Sequence, residues 1–597
     1  MRDTPNRGIR SLRLLVPAAL IAALVAPAGA TQAASAAKAP DKLKPKITNA
    51  AAFDVSKPLR ELAKTAKPSK VRPDRVNFDR AGPAVGTAKQ GYSRDGALQS
   101  ATAARSARSA SAAAGTESIG GTIANFEGMS NQDNFNVLGG RVNPPDPNGE
   151  AGPNHFVEIV NLVFAVYTKT GTKLLGPVRT GSLWSDFPIT ECAANGGDPV
   201  VLYDQVADRW IITQLTTRGI NFPDEPLNLF YNCFAISTTG DPTGSYFRYA
   251  FTTGFNFPDY PKIGIWKDSY IITTREFGIL DPSIYGIGVY GLERNKLIEG
   301  EPGARAVGFL ATDTAVPLNL IGDGLLPPDV DGKTKPKADA PAPIVGTQDD
   351  TAPYGATSDA LNIWEFDVKW RSTPVASLVF KAQLPVAPFD SVFPCVGGFG
   401  SRDCLPQPGI TNPAQFLDIL SYRQRPTFRL AYRNLGTTES MVTNQSVEAM
   451  PGVAGVRWYE IRRTNGEYSV HQQGTYAPGD GVHRWMGSIA ADKNGNMALG
   501  YSVVNGTDVF PGIRYTGRLA GDPLGQMTLG EGTAINGTAA QTHVNSRWGD
   551  YTDLTVDPVD DCTFWYVNEY YTVEGAATAP LGNGWQTRIA SFKLPGC

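Results

Sequence analysis

This sequence predicts an all-β fold, and three observations carry the prediction. From residue 119 onward Val, Ile, Tyr, Phe, Trp and Thr gather in short runs separated by Gly, Pro, Asp and Asn, the composition of half-buried strands and tight turns. Apolar residues there alternate instead of recurring every three or four positions, so helical periodicity is nearly absent. Residues 547–571, RWGDYTDLTVDPVDDCTFWYVNEYY, read as strand, Asp-Pro turn, strand, and weaker versions of that unit recur upstream.

Residues 1–30 read as a secretory signal peptide. Arg2, Arg7, Arg10 and Arg13 form a positive front, residues 14–25 an apolar run, and Ala28-Gly29-Ala30 a small-residue cleavage site. The run is too short to span a bilayer comfortably, and no later stretch has about 18 consecutive apolar residues, so no membrane span is expected. Residues 31–118 are rich in Ala, Ser, Lys and Pro, with 16 Lys/Arg against 7 Asp/Glu. That composition buries too little apolar surface to offset chain entropy and is expected to be a disordered tether or pro-segment. FDVSKPLRELAK, residues 53–64, interrupts it and favours a short helix after Ser56.

Seven units can be laid out across 119–597, spaced by roughly 50–85 residues and each with room for about four strands. They open at PPDPNGEAGPNHF (residue 144), GDPVVLYDQ (197), PDYPKIGIW (258), APIVGTQDD (342), AQFLDILSY (414), HRWMGSIAA (483) and RWGDYTDLT (547). A lone four-stranded unit leaves an apolar face bare, and closing a ring of them buries it. The expected fold is therefore a seven-bladed β-propeller over 119–597, with packed sandwiches as the alternative. GGTIANFEG, residues 120–128, is placed to supply the outer strand of the seventh blade.

Six cysteines, Cys192, Cys233, Cys395, Cys404, Cys562 and Cys597, follow the signal. An even count in an exported chain favours disulfides. Sequential pairing, 192–233, 395–404 and 562–597, keeps each bridge within one unit. The chain carries −3 overall, but 1–30 contribute +3 and 31–118 +9, leaving −15 on 119–597. An acidic body argues against a nucleic-acid partner and suits cations or neutral polymers.

Residues entering the innermost strands of a propeller crowd one mouth of its channel. Asp146, Asp198, Asp259 and Asp550 stand at such entries, with Ser488 at the comparable place in the sixth unit. Converging carboxylates repel one another. A cation bound by all four would relieve this, and Ca²⁺, which takes several oxygen ligands, is the candidate. Alternatively, raised pKa values suit Asp198, Asp259 and Asp550 to act as acid and base, as in glycosidases. Any one of them could instead cap its own turn. His483, Arg484 and Trp485, with Arg547 and Trp548, precede adjacent inner strands. Together with Tyr260 and Tyr551 they would give a sugar ring or carboxylate a stacking floor and bidentate donors. The competing arrangement packs the tryptophans between blades and pairs the arginines with nearby aspartates. Asp204, Asp492 and Asp557 lie in first-to-second strand turns, Asp329-Val-Asp-Gly reads as a turn, and the sequons at Asn444, Asn505 and Asn536 mark surface loops. No GxSxG elbow, HExxH or P-loop is present.

The stretches DPNGEAGPNHFVEIVN, GDPVVLYDQVADRW, DPTGSYFRYAF, FPDYPKIGIW, QQGTYAPGDGVHRWMGSIAADKNGNMALGYS and RWGDYTDLTVDPVDDCTFWYVNEYY resemble a widespread family of secreted bacterial β-propeller proteins. The resemblance covers nearly all of 119–597; it implies export and a propeller and supplies no catalytic residue. The turns at Asp204, Asp492 and Asp557 are loosely similar to the Asp-box turns of sialidases, without the strict pattern and without an assignable arginine triad. The expectation is a monomeric protein, secreted and extracellular or associated with the cell envelope. It would bind, and as a glycoside hydrolase or polysaccharide lyase cleave, an extracellular glycan at the acidic mouth. The alternative is a non-catalytic adhesion or scaffold propeller contacting cell-surface proteins, and fold does not choose between them.

Overall fold

The alternating runs become seven antiparallel sheets in the computed structural model, which describes residues 42–65, 75–76, 87–88, 92–99 and 118–597 except 399, 420–423 and 579–581. The expected signal peptide, 1–30, lies outside the described residues. Blade one comprises Asn148–Ala151, His155–Val160, Val163–Thr168 and Lys173–Arg179. Blade two runs from Val200–Asp204 to Tyr246–Gly254, and blade three from Asn256–Ile265 to Arg305–Thr312. In blade four, Ala342–Gln348, Ala360–Lys369 and Val375–Pro385 form a three-stranded sheet. Its inner position falls to the segment around Leu326, which bridges Val345 and continues as Pro328–Val330. That short strand pairs in parallel with Thr427–Asn434, the inner strand of blade five, whose outer strand is Glu467–Tyr476. Blade six spans His483–Ala491 to Glu531–Ile535. Blade seven holds Asp553–Val556, Phe564–Tyr570 and Gln586–Phe592, and its fourth strand is Ala124–Ser130. The ring is therefore closed by the stretch the sequence singled out.

Aromatic side chains between neighbouring sheets fix the cyclic order. Phe156 of blade one meets Trp565 of blade seven at 5.3 Å, Phe234 of blade two meets Tyr270 of blade three at 5.4 Å, and Phe309 of blade three meets Phe366 of blade four at 6.0 Å. Tyr476 of blade five packs on Tyr501 of blade six at 5.7 Å, and Tyr515 of blade six stacks on Phe592 of blade seven at 4.0 Å. Such offset and tilted pairs contribute about 0.5–1.5 kcal/mol each beyond area burial. A cycle of this kind is incompatible with two stacked sandwiches. The three disulfides pair as the spacing suggests, Cys192–Cys233, Cys395–Cys404 and Cys562–Cys597.

The segment expected to be a disordered tether is, where described, part of the body. Lys46–Asn49 adds a fifth strand to blade three and Ala52–Val55 a fifth strand to blade two. The short helix expected after Ser56 forms over Leu59–Thr65, with Leu59 fully buried. Composition failed here because the segment buries its few apolar groups on sheet edges supplied by the blades, not on itself. Further along, Leu98 bridges Thr475 on blade five, and the Gln99 amide donates to the Met527 carbonyl at 2.9 Å. Asp95 is paired with Arg457 at 2.8 Å, both side chains 0% exposed. Removing one partner of such a pair strands the other in a low-dielectric interior. Arg457→Met is accordingly expected to cost about 3–5 kcal/mol in chemical denaturation, and a loss no larger than that of a surface substitution would mean this segment does not dock.

Candidate axial site

The inner strands start from a shared backbone device. Asp146, Asp198, Tyr260, Met486 and Asp550 have φ of 48°, 46°, 53°, 51° and 75°, so five blades enter their inner strand through a left-handed residue. Aspartate tolerates that conformation better than Met or Tyr, and strain of this kind gathers at functional sites. In blades one, two and three the left-handed residue precedes a proline, giving Asp146-Pro147, Asp198-Pro199 and Tyr260-Pro261. The equivalent of Asp146 and Asp198 in blade three is therefore Tyr260, one residue beyond the predicted Asp259.

That offset redistributes the predicted acids. The register of blade three shifts between Asp259 and Lys262. Asp259 is committed to Arg275 at 3.1 Å, and Arg275 also reaches Asp323 at 2.8 Å. Asp259 is thus withdrawn from the predicted catalytic and metal sets, and Lys262 supplies a positive charge near the remaining acids. Asp146, Asp198 and Asp550 do come together. Asn161, which the sequence reading missed, links two of them: its side-chain oxygen accepts from the Asp198 N–H at 3.0 Å, and its amide donates to the Pro144 carbonyl at 3.1 Å. The Asp146 N–H donates to the Gly549 carbonyl at 2.9 Å, the Tyr260 hydroxyl to the Asp550 carbonyl at 3.1 Å, and the Tyr551 hydroxyl to the Pro261 carbonyl at 2.6 Å. These bonds staple blades one, two, three and seven around the axis.

Electrostatics separates the members. Burial, then Asp198 and then Asp550, hold the Asp146 carboxyl well above the usual range, against the pull of Arg547. Neither Asp146 oxygen makes a well-formed hydrogen bond, although the Asn161 amide stands near enough to favour the ionised form. Burial and Asp550 push Asp198 up to about 6, opposed by Lys262, Arg547 and the backbone N–H of Tyr260. Asp550 is paired with Arg547. Lys262 is 2% exposed, its ammonium 3.0 Å from the Tyr260 ring centroid and 3.3 Å from that of Tyr551. Burial and then Arg425 pull it well below its ordinary value, while the three aspartates pull it back. Arg547 pairs with Asp550, so part of the compensation that Ca²⁺ was expected to bring comes from the chain itself. Among the described residues, the acidic oxygens gathered within 4.8 Å of one another are those of Asp349, Asp350 and Asp359. Asp349 and Asp359 spend theirs on the backbone N–H groups of Thr351, Ser391, Asp350 and Phe389.

The predicted sugar floor is enclosed. Arg484 bonds Asp480 at 2.8 Å and Glu531, on the outer strand of its own blade, at 2.8 Å. Trp485 packs on Trp548 at 5.5 Å inside the core, and the Trp548 indole donates to Ser502. His483 accepts from the Ala454 N–H and is pushed down to about 4 by burial. The sequence did not reveal the cover. Between blades four and five, residues 389–398 and 400–419 place Phe393, Leu405 and Leu417 in one cluster with Trp485, Met486 and Trp548. Asp418 of this cover stands 3.5 Å from the Arg547 side chain, and Gln407 exchanges hydrogen bonds with the Gln541 backbone. Ser488 accepts from the Leu554 N–H, a structural role between blades.

One layer deeper, a second cluster was invisible to the sequence. Arg429 pairs with Asp329 at 2.7 Å and Asp331 at 2.6 Å, and stands 3.9 Å from Asp553. Burial first, then the neighbouring acids, push Asp329 up to about 6 and hold Glu150 and Asp553 well above their usual range, against the pull of Arg429. Asp329-Val-Asp-Gly is therefore an axial clamp and not a plain turn. Asp204, Asp492 and Asp557 do cap their turns, accepting from Val206, Asn494 and Val559 N–H groups. Asn444 is buried within a strand and Asn505 is nearly so, which leaves Asn536 as the exposed sequon.

No family model matches the chain, and no curated protein matches it. Solved structures with related chain paths include a thermostable family-43 glycoside hydrolase, at 11% identity over 56% of this chain and 94% of that one, TM-score 0.26. An α-L-arabinanase of Penicillium chrysogenum complexed with arabinobiose gives 11% identity over 66% and 94%, TM-score 0.30. The GH93 α-L-arabinofuranosidase of Fusarium graminearum gives 9% over 57% and 98%, TM-score 0.25.

Asp198 has a testable pH signature. Its carboxyl titrates near 3.8 when unperturbed and at about 6 when folded. Between those values the folded state holds the extra proton, so stability falls as pH rises from 3.8 to about 6 and is level above. Asp198→Asn removes that dependence. In denaturation at pH 7 the variant should gain on the order of 2 kcal/mol over the parent, and the gap should close at pH 4. A difference that is the same at both pH values contradicts the assignment.

Proposed function

We propose that this protein is an extracellular propeller that binds a glycan and cleaves it with the axial carboxyls. The observation that carries the proposal is the difference in proton affinity between Asp146 and Asp198, with Asp550 paired to Arg547 beside them. Asp146 favours its neutral form, Asp198 titrates at about 6, and Asp550 is held by Arg547. Carboxyl groups whose surroundings push them apart in this way are what acid–base cleavage of a glycosidic bond requires. In this scheme Asp146 donates the proton to the leaving oxygen as the glycosidic bond breaks, while Asp198, ionised near neutrality, takes a proton from the water that forms the new bond to the anomeric carbon. Arg547 positions Asp550. Three disulfides, and the lack among the described residues of a helix long and apolar enough to cross a membrane, support a place outside the cell.

One observation favours a second reading. Asp146, Asp198 and Asp550 are all under a tenth exposed, and Trp485 and Trp548 are fully buried in the cluster they share with Phe393, Leu405 and Leu417. A ring sealed in this way suits a non-catalytic platform that contacts cell-surface proteins through its rim. The two separate in a binding and hydrolysis screen of the purified protein on plant, fungal and bacterial polysaccharides. Catalysis at the axis predicts turnover that falls about 10²–10⁴-fold in Asp198→Asn, as loss of a general acid or base does, with folding retained. Turnover untouched by Asp198→Asn, or no polysaccharide bound at all, leaves the platform.

A further inference from the structure

The ring closes where Ala124–Ser130 pairs with Gln586–Phe592, and this seam holds a buried acid that the axial site does not use. The register jumps there from Gln586 opposite Ser130 to Arg588 opposite Glu127, so the closing strand carries one extra residue and bulges at Gly128 and Met129. Two side chains answer the backbone that the bulge takes out of the ladder, Thr587 from blade seven and Glu158 from blade one. The Met129 N–H donates to Glu158 Oε2 at 2.9 Å, and the Thr587 hydroxyl donates to the Met129 carbonyl at 2.8 Å. Glu158, Met129 and Thr587 are all 0% exposed. Gly128 permits the approach, since a Cβ there would collide with Thr587 Oγ1 and with both oxygens of the Glu158 carboxyl.

Counting hydrogens fixes the state of the acid. Thr587 Oγ1 also lies in hydrogen-bond contact with Glu158 Oε1, and a hydroxyl has one hydrogen to give. With that hydrogen on the Met129 carbonyl, an ionised Glu158 would set two lone pairs against each other in a buried space. A protonated Glu158 donates to Thr587 Oγ1 instead, and every group at the seam is then satisfied. The Tyr167 hydroxyl stands 3.4 Å from Oε2. The charges that face Glu158 are Asp133, from the helix after the closing strand, and Lys173, from the outer strand of blade one; Glu127 acts on Tyr167 beside them. Burial first, with Asp133 behind it, pushes the carboxyl up to about 7, opposed by Thr587, the Met129 N–H and Lys173.

We infer that Glu158 is a proton-operated latch on the ring: as a neutral acid it ties blade one to the closing strand of blade seven, and on losing its proton it loosens that strand. The latch does not draw on the axial acids and holds whether or not they cleave a glycan. Its sign follows from a carboxyl that titrates at 4.5 when unperturbed and at about 7 in the closed ring. The latch is complete below 4.5, weakens as pH rises to about 7, and is level above. The ring is therefore firmest in mildly acidic surroundings.

Amide hydrogen exchange of the whole protein at pH 5 and pH 8, corrected for the intrinsic rate, tests it. Protection of residues 124–130, measured against Ala360–Lys369 of blade four, should fall on the order of 10- to 100-fold between the two. Glu158→Gln, whose amide can donate to Thr587 Oγ1 while its oxygen still accepts from Met129, should hold its protection at both pH values. The comparison within the unaltered protein decides even where the variant fails to fold. Equal relative protection at pH 5 and pH 8, or a fall that persists in Glu158→Gln, overturns the inference.

Discussion

Inner strands of this ring deliver buried charged groups to one axis, and one guanidinium, Arg429, gathers several of the acids there. It reaches Asp329, Asp331 and Asp553 directly and lowers the cost of ionising Glu150. Those residues come from blade one, blade seven and the short strand beside blade five. Loss of the guanidinium would leave several carboxyls buried without a counter-charge, a far larger penalty than the net worth of any one pair. The ring is closed from outside by a strand and from inside by this ion cluster.

The mouth above it repeats the arrangement with different members. Asp146, Asp198 and Asp550 face Arg547 and Lys262, and the polar staples through Asn161 and Tyr260 hold the backbone that carries them. Burial is the first cause of both raised aspartates and of the lowered lysine. Phe393, Leu405 and Leu417 pack against Trp485 and Trp548, and Asp418 stands beside Arg547, so a segment outside the blades contributes to the enclosure of this mouth. A cover of this kind raises every interaction beneath it by keeping the local dielectric low.

How much of this was legible follows from where each signal resides. Blade count, the ring-closing strand, the disulfide pairing and three of four axial aspartates are local: turn chemistry, alternation and cysteine spacing within one unit. Asp259 was misplaced because PDYPK was aligned on its acid, when the recurring feature is a left-handed residue before proline, as in Asp146-Pro147 and Asp198-Pro199. Lys262, Asn161 and Arg429 were not legible, since their roles arise from partners in other blades. Arg484 and Trp485 look like a binding floor in sequence; only the insertion over them, and Glu531 beside the arginine, decide otherwise. The docking of residues 46–65 on blades two and three is not legible because composition measures what a segment can bury on itself, although the short helix within it is.

The central claim, that acids from separate blades are held at the axis by Arg429, is tested most directly by a double-mutant cycle of Arg429→Met with Asp553→Asn, read as unfolding free energy. Residues sharing one buried cluster should couple by about 1–3 kcal/mol. Additivity to within about 0.3 kcal/mol would mean that the two side chains do not meet, and the axial convergence on which the site depends would be contradicted.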